Sequence, residues 1–150
     1  MMRDKLSAAL KDAMKARDTR RLSTVRLIQT AVKDRDIANR GSGKDQASDD
    51  DILQILQKMV KQREESAKIY KDAGRAELAT QEREEIGVIK TFMPEQLSDE
   101  AVRELIAAAV AETGAQGLRD MGKVMAVLKE KYPGQMDFAK ASGVVKDLLK

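Results

Sequence analysis

The sequence contains no cysteine, no histidine and no tryptophan, and only two tyrosines, two phenylalanines and two prolines. Without cysteine there is no disulfide, no thiolate nucleophile and no Cys-based metal site. Without histidine the commonest general base, the commonest transition-metal ligand and the ordinary pH switch are all missing. No run of residues approaches the roughly 20 consecutive apolar positions of a membrane-spanning helix. The segment from Met1 to Lys15 is amphipathic and charged, unlike the apolar region of a signal peptide, so a cytosolic location is expected. With aromatics at 3%, any core has to be assembled from Leu, Ile, Val, Met and Ala.

What is present favours helix. Charged residues make up 35% of the 150 positions, against about 25% in an average domain. Lys, Arg, Glu, Ala, Leu and Gln are abundant, and these residues lose least on entering a helix. The charge is uneven. Residues 1–40 hold 11 Lys/Arg against 5 Asp/Glu, whereas residues 41–92 and 93–150 are each slightly acidic. The basic surplus of the first forty residues suits an anionic partner, although a solvated Lys/Arg-rich helical surface has the same composition.

Apolar residues recur at helical spacing along nearly the whole chain, and no segment alternates like a strand. Seven helices are expected. The first spans about Arg3 to Arg17, with Leu6, Ala9, Leu10, Ala13 and Met14 on one face. The second follows Asp18, a good N-cap, and runs to about Asn39, with Leu22, Val25, Ile28, Gln29 and Val32 on its face. Residues 40–47 read as a polar loop. Ser48 caps the third, whose first turn holds Asp49, Asp50 and Asp51 and whose end is marked by Gly74. The fourth covers about Arg75 to Phe92. Met93-Pro94 then breaks the chain, because proline disfavours helix at the residue before it. Ser98 and Gly114 bracket the fifth helix, the sixth covers about Arg119 to Lys131, and the seventh begins near Asp137. The expected architecture is all-α: a four-helix bundle over residues 1–93 and a three-helix bundle over residues 94–150.

Some polar residues fall on apolar stripes. At 100° per residue, Arg63 lies within about 20° of the line through Ile52, Met59 and Tyr70. On the fourth helix, Glu82 and Glu85 both lie within about 40° of Leu78. Arg26 sits at the edge of the second helix's stripe. A charge facing a core must be paired or solvated. Arg63 is therefore expected to meet Glu82, Glu85 or both across the bundle, with Arg26 nearby. A carboxylate pair without histidine is not a di-metal cage, so no metal and no other cofactor is expected. Gly43-Lys44 lacks the spaced glycines and following Ser/Thr of a phosphate-binding loop. Gly122 lies inside the sixth helix, where glycine costs about 1 kcal/mol against alanine, and is expected to permit close packing.

A family resemblance rests on specific runs. Lys58-Met59-Val60-Lys61-Gln62-Arg63-Glu64-Glu65-Ser66 leads to Tyr70. Ala73-Gly74-Arg75, Leu78-Ala79, Glu82, Glu85-Ile86 and Met93-Pro94-Glu95-Gln96-Leu97 follow, then Asp120-Met121-Gly122-Lys123-Val124-Met125. Thr24-Val25-Arg26-Leu27-Ile28 with Ala31-Val32-Lys33-Asp34 belongs to the same pattern. Together they resemble the GatB/YqeY family in its stand-alone YqeY-like form. The resemblance implies the same four-plus-three helical arrangement. It also implies kinship with the tail of the B subunit of the glutamine-dependent tRNA amidotransferase, which helps to bind tRNA while the chemistry lies elsewhere. Where the family often has Gly-Arg-Ala-Asp-Gly, this chain reads Gly134-Gln135-Met136-Asp137-Phe138, without the basic residue and the second glycine.

Three functions are compatible with these features: a tRNA-associated binding module, an accessory component of a carbon–nitrogen ligase with glutamine as amide donor, and a protein–protein adaptor. No residue qualifies as catalytic. Candidate phosphate contacts are Lys15, Arg17, Arg20, Arg21, Lys33, Arg35 and Arg40 in the basic N-terminal part. Lys123, Lys129 and Lys131 are candidates in the C-terminal part. Expected partners are tRNA and amidotransferase subunits or a tRNA-related protein, with no membrane and no metal.

Overall fold

The computed structural model describes residues 1–150 as seven α-helices with no strand. They are α1 (Met2–Ala16), α2 (Thr19–Gly41), α3 (Asp49–Asp72), α4 (Ala76–Lys90), α5 (Asp99–Thr113), α6 (Met121–Lys131) and α7 (Phe138–Leu149). A single 3-10 turn, Leu118–Asp120, leads into α6. The chain divides into two compact units, Met1–Pro94 and Glu95–Lys150. No helix is long and apolar enough to cross a membrane.

Local chemistry sets the helix ends. Asp18 accepts from the Arg21 N–H at 3.1 Å and so satisfies one of the free donors at the start of α2. Ser48 and Asp51 form a reciprocal capping box at the start of α3. Ser98 accepts from Ala101 N–H, and Asp137 accepts from the N–H groups of Ala139 and Lys140. Gly74, one residue past the α3 cap, and Gly114 at the end of α5 both adopt left-handed backbone, where a side chain would be strained. Arg17 does the same at the end of α1, with φ 56°, although it is not glycine.

The core of the first unit is aliphatic. Leu6, Ile28, Val32, Ile52, Leu56, Met59, Ile86 and Ile89 form one buried cluster contributed by all four helices. The buried line of α1 is Met2, Leu6, Ala9 and Ala13. Met14, expected on this line, is exposed, because it lies about 100° around the helix from Ala13. On α2 the buried positions are Thr24, Val25, Ile28, Val32 and Asn39, while Leu22 and Gln29 are only half-buried. Thr24 is tolerated in this interior because its hydroxyl donates to the Arg20 carbonyl at 2.8 Å. Tyr70, on α3, is half-buried in this unit.

The second unit has its own cluster: Ile106, Ala109, Val124, Leu128, Met136, Ala141, Val145 and Leu149. The loop between α6 and α7 is tied to the entrance of α5. Leu97 N–H donates to the Gln135 carbonyl at 2.9 Å, and Gln96 Nε2 donates to the Gly134 carbonyl at 2.7 Å. Tyr132, at the C-terminal cap of α6, packs against this second core. Gly122 does not serve close packing: a Cβ built there meets nothing within 4 Å. The same is true of the exposed helical glycines Gly87 and Gly143.

Candidate nucleic-acid interface

The most enclosed charges join α3 to α4. Arg63 Nε donates to Glu85 Oε2 at 3.0 Å, and the two side chains are 16% and 11% exposed. Arg63 also donates to the Met59 carbonyl one turn back on its own helix at 3.4 Å. The remaining capacity of Glu85 is shared. Gln81 Nε2 reaches Oε1 at 3.5 Å, and Arg20 Nη1 lies 3.8 Å from the same oxygen. Arg20 Nε also donates to Glu84 at 3.3 Å. Burial first, and then the neighbouring Glu85 charge, push the half-buried Glu82 carboxyl above its ordinary value, against the pull of Arg63.

Of the two carboxylates weighed from the sequence, Glu85 takes the Arg63 bond. Arg26 is corrected: it is exposed and has no part in the network, and the second cation is Arg20. The reason is angular. Arg20 and Thr24 lie on the side of α2 that meets α4, and Arg26 is about 120° around the helix from Arg20. The arrangement binds helices together. No group of three or more Asp and Glu converges as a metal site would require.

A second clasp escaped the sequence reading. Arg3 donates both Nη groups to Asp36, at 2.9 and 2.5 Å, and also donates to the Ala47 carbonyl at 3.1 Å. Asp36 in turn accepts from Ala47 N–H at 2.8 Å. The residue just before the α3 cap is thus held through both backbone groups to α1 and α2. The Arg3 hydrogen bond, followed by the Ala47 amide, holds the Asp36 carboxyl below its ordinary value. The only sequence signal was an arginine and an aspartate on basic helices, with nothing to choose the partner.

The ten candidate phosphate contacts separate into two groups. Five are engaged within the chain. Arg20 pairs with Glu84 and Glu85, and Arg21 lies 5.3 Å above the Phe92 ring and donates to Thr91. Arg35 meets Asn39 and Asp51. Lys123 lies 3.9 Å from Asp120, and Lys131 is 2.8 Å from Glu112. The other five, Lys15, Arg17, Lys33, Arg40 and Lys129, are exposed and form no ion pair. The start of α2 is therefore spent on holding α4, and its free positive charge lies farther along the helix.

Beside Lys33, α1 and α2 flank an open depression of about 250 Å³ lined by Arg3, Leu6, Ser7, Gln29, Val32 and Asp36 together with Lys33. It offers donors and a neutralised carboxylate rather than a set of reacting groups.

These features define an all-helical protein of two units whose enclosed ionic groups tie helices together and whose first forty residues carry a cationic surplus. A sequence model of the Yqey-like protein family matches residues 3–149, and the chain belongs to that family. An uncharacterized protein of Schizosaccharomyces pombe is 31% identical over 90 residues, covering 60% of this chain and 70% of that one. The protein "Altered inheritance of mitochondria protein 41, mitochondrial" of Pyrenophora tritici-repentis is 26% identical over 133 residues, 87% of this chain and 71% of its own length. Its namesake in Saccharomyces cerevisiae is 28% identical over 116 residues, covering 73% of this chain and 60% of the yeast protein.

Proposed function

We propose that this chain is a non-catalytic, tRNA-associated binding module of a four-helix bundle and a three-helix bundle, in which chiefly the first presents basic surface to the phosphate backbone. The observation that carries this reading is the set of exposed cations without an internal partner, four of which (Lys15, Arg17, Lys33 and Arg40) lie in the first forty residues. The resemblance to the tail of a tRNA amidotransferase subunit supports the same partner. The proposed location is the cytosol; the mitochondrial names of the fungal relatives describe those proteins. A role beside amidotransferase subunits remains within this proposal, since the chemistry would then be theirs.

The test is a salt titration of binding to total deacylated and aminoacylated tRNA, with duplex RNA of equal length as control. Preference for tRNA, with an affinity that falls steeply as salt rises, is the expected result. Equal binding to both RNAs reduces the reading to general charge attraction, and no binding at low salt removes it. Lys15→Glu with Arg17→Glu is the appropriate charge reversal. Reversing Arg20 or Arg21 would also break contacts with Glu84, Glu85 and Phe92 and so confuse binding with stability.

A further inference from the structure

Arg26, Lys33 and Arg40 are all exposed on α2 and none is in an ion pair. They are seven residues apart. Seven residues turn a helix by only about 20° short of two full turns, so the three cations form one nearly straight line with a step of roughly 10 Å. Two acidic residues lie within this stretch. Asp36 is already engaged by Arg3 and by the Ala47 amide. Asp34 is about 100° around the helix from Lys33. Nothing in the fold therefore neutralises the line; Arg40 contributes only a distant attraction to Asp36.

The middle of the line borders the open depression between α1 and α2, where Ser7 and Gln29 add uncharged donors beside Lys33 and where the Asp36 carboxylate is already held by Arg3. No aromatic residue occurs anywhere in α1 or α2, so bases have no aromatic face to stack on. Two exposed aliphatics on α2, Leu27 and Ile37, stand ten residues apart and do not form a continuous apolar strip for a lipid surface. Spaced cations with neutral donors and no aromatic surface suit the backbone of folded, double-helical RNA, which is gripped through phosphates and 2′-hydroxyls.

We propose that the Arg26–Lys33–Arg40 line of α2, with the Ser7/Gln29 depression at its centre, is the docking track for the phosphate backbone of a folded RNA. This rests on the RNA-binding reading above and assigns its contact face. It also gives Arg26 a role in place of the ion network from which the fold excludes it.

The test compares three full-length proteins for binding to total tRNA across a salt series: the natural sequence, Arg26→Gln/Lys33→Gln/Arg40→Gln, and a charge-matched control, Lys58→Gln/Lys61→Gln/Lys68→Gln, on the exposed surface of α3. The α2 triple is expected to bind at least about tenfold more weakly, with a salt slope reduced by roughly two to three, while the control stays close to the natural protein. Circular dichroism melts check that folding is unchanged. Should the triple fail to fold, Lys33→Gln alone is expected to lower the slope by about one. If the natural protein binds but the α2 triple binds equally well, the track is wrong and the RNA-binding reading stands. Equal weakening by the control also overturns the track, because net charge alone then explains binding. No binding by the natural protein overturns both. Tighter, α2-dependent binding to phosphatidylserine vesicles than to tRNA overturns the choice of RNA.

Discussion

Removing the guanidinium of Arg63 leaves Glu85 largely enclosed, with Gln81 and the more distant Arg20 as its remaining partners. An enclosed carboxylate without its main counter-charge is destabilising, whereas replacing both members by apolar residues is often neutral. Arg63→Met is therefore expected to lose roughly 2–3 kcal/mol of unfolding free energy in a denaturant titration, and adding Glu85→Leu should restore most of it. A single variant within about 0.5 kcal/mol of the natural protein would show that the pair is effectively solvated. The sequence revealed this pair because three stripe residues fixed a direction on each helix. It could not choose between Glu82 and Glu85, which lie at similar angles, and it placed Arg26 beside them where the structure has Arg20. That choice depends on which side of α2 meets α4, a property of the assembled helices.

Two carboxylates should bend the pH profile in opposite senses. Asp36 is held below its ordinary value in the folded protein, so its contribution is present above the unfolded carboxylate range near pH 4 and is lost as pH falls through the lowered value. Asp36→Asn should lower stability at neutral pH and flatten the acid limb. Glu82 is raised, so its contribution is complete below the unfolded value and is lost as pH rises through the folded one. Glu82→Gln should remove that loss, leaving the neutral-pH protein no less stable. Thermal melts of both variants between pH 3 and 7 measure the two signs.

At the scale of the helix, the ends were the most legible part of the sequence. Asp18, Ser48, Ser98 and Asp137 each announce a cap through a short side chain that can reach a free backbone N–H. The ending of α1 was less legible, since Arg17 adopts a backbone conformation usually left to glycine. Glycines then separate by environment. Gly143→Ala fills empty space on an exposed helix and should stabilise by about 0.5–1 kcal/mol. Gly74→Ala also meets no atom, but its φ of +74° makes the alanine strained, so the change should destabilise by about 1 kcal/mol. Movement of the melting temperature in the same direction by both substitutions would contradict this contrast.

For the whole molecule, the break at Met93-Pro94 in the sequence falls beside the division of the chain after Pro94. Each unit has its own buried cluster. A fragment of residues 1–94 is therefore expected to melt cooperatively and to keep its helical circular dichroism. A fragment of residues 95–150 should be marginal, because so short a chain buries only about 60% of its surface. A non-cooperative melt of the larger fragment would contradict this. The basic character of the first forty residues was readable from composition alone. Which of those cations remain free was not, because the acidic residues that claim Arg20 and Arg35 lie on other helices.

The scarcity of aromatics gives each half its own optical reporter. Tyr70 is the sole tyrosine of the first unit and Tyr132 the sole tyrosine of the second, and there is no tryptophan to mask them. In a Tyr132→Phe protein all tyrosine emission comes from the first half, and in a Tyr70→Phe protein all of it comes from the second. Two spectra, recorded without any attached dye, would thus tell in which order the halves come apart.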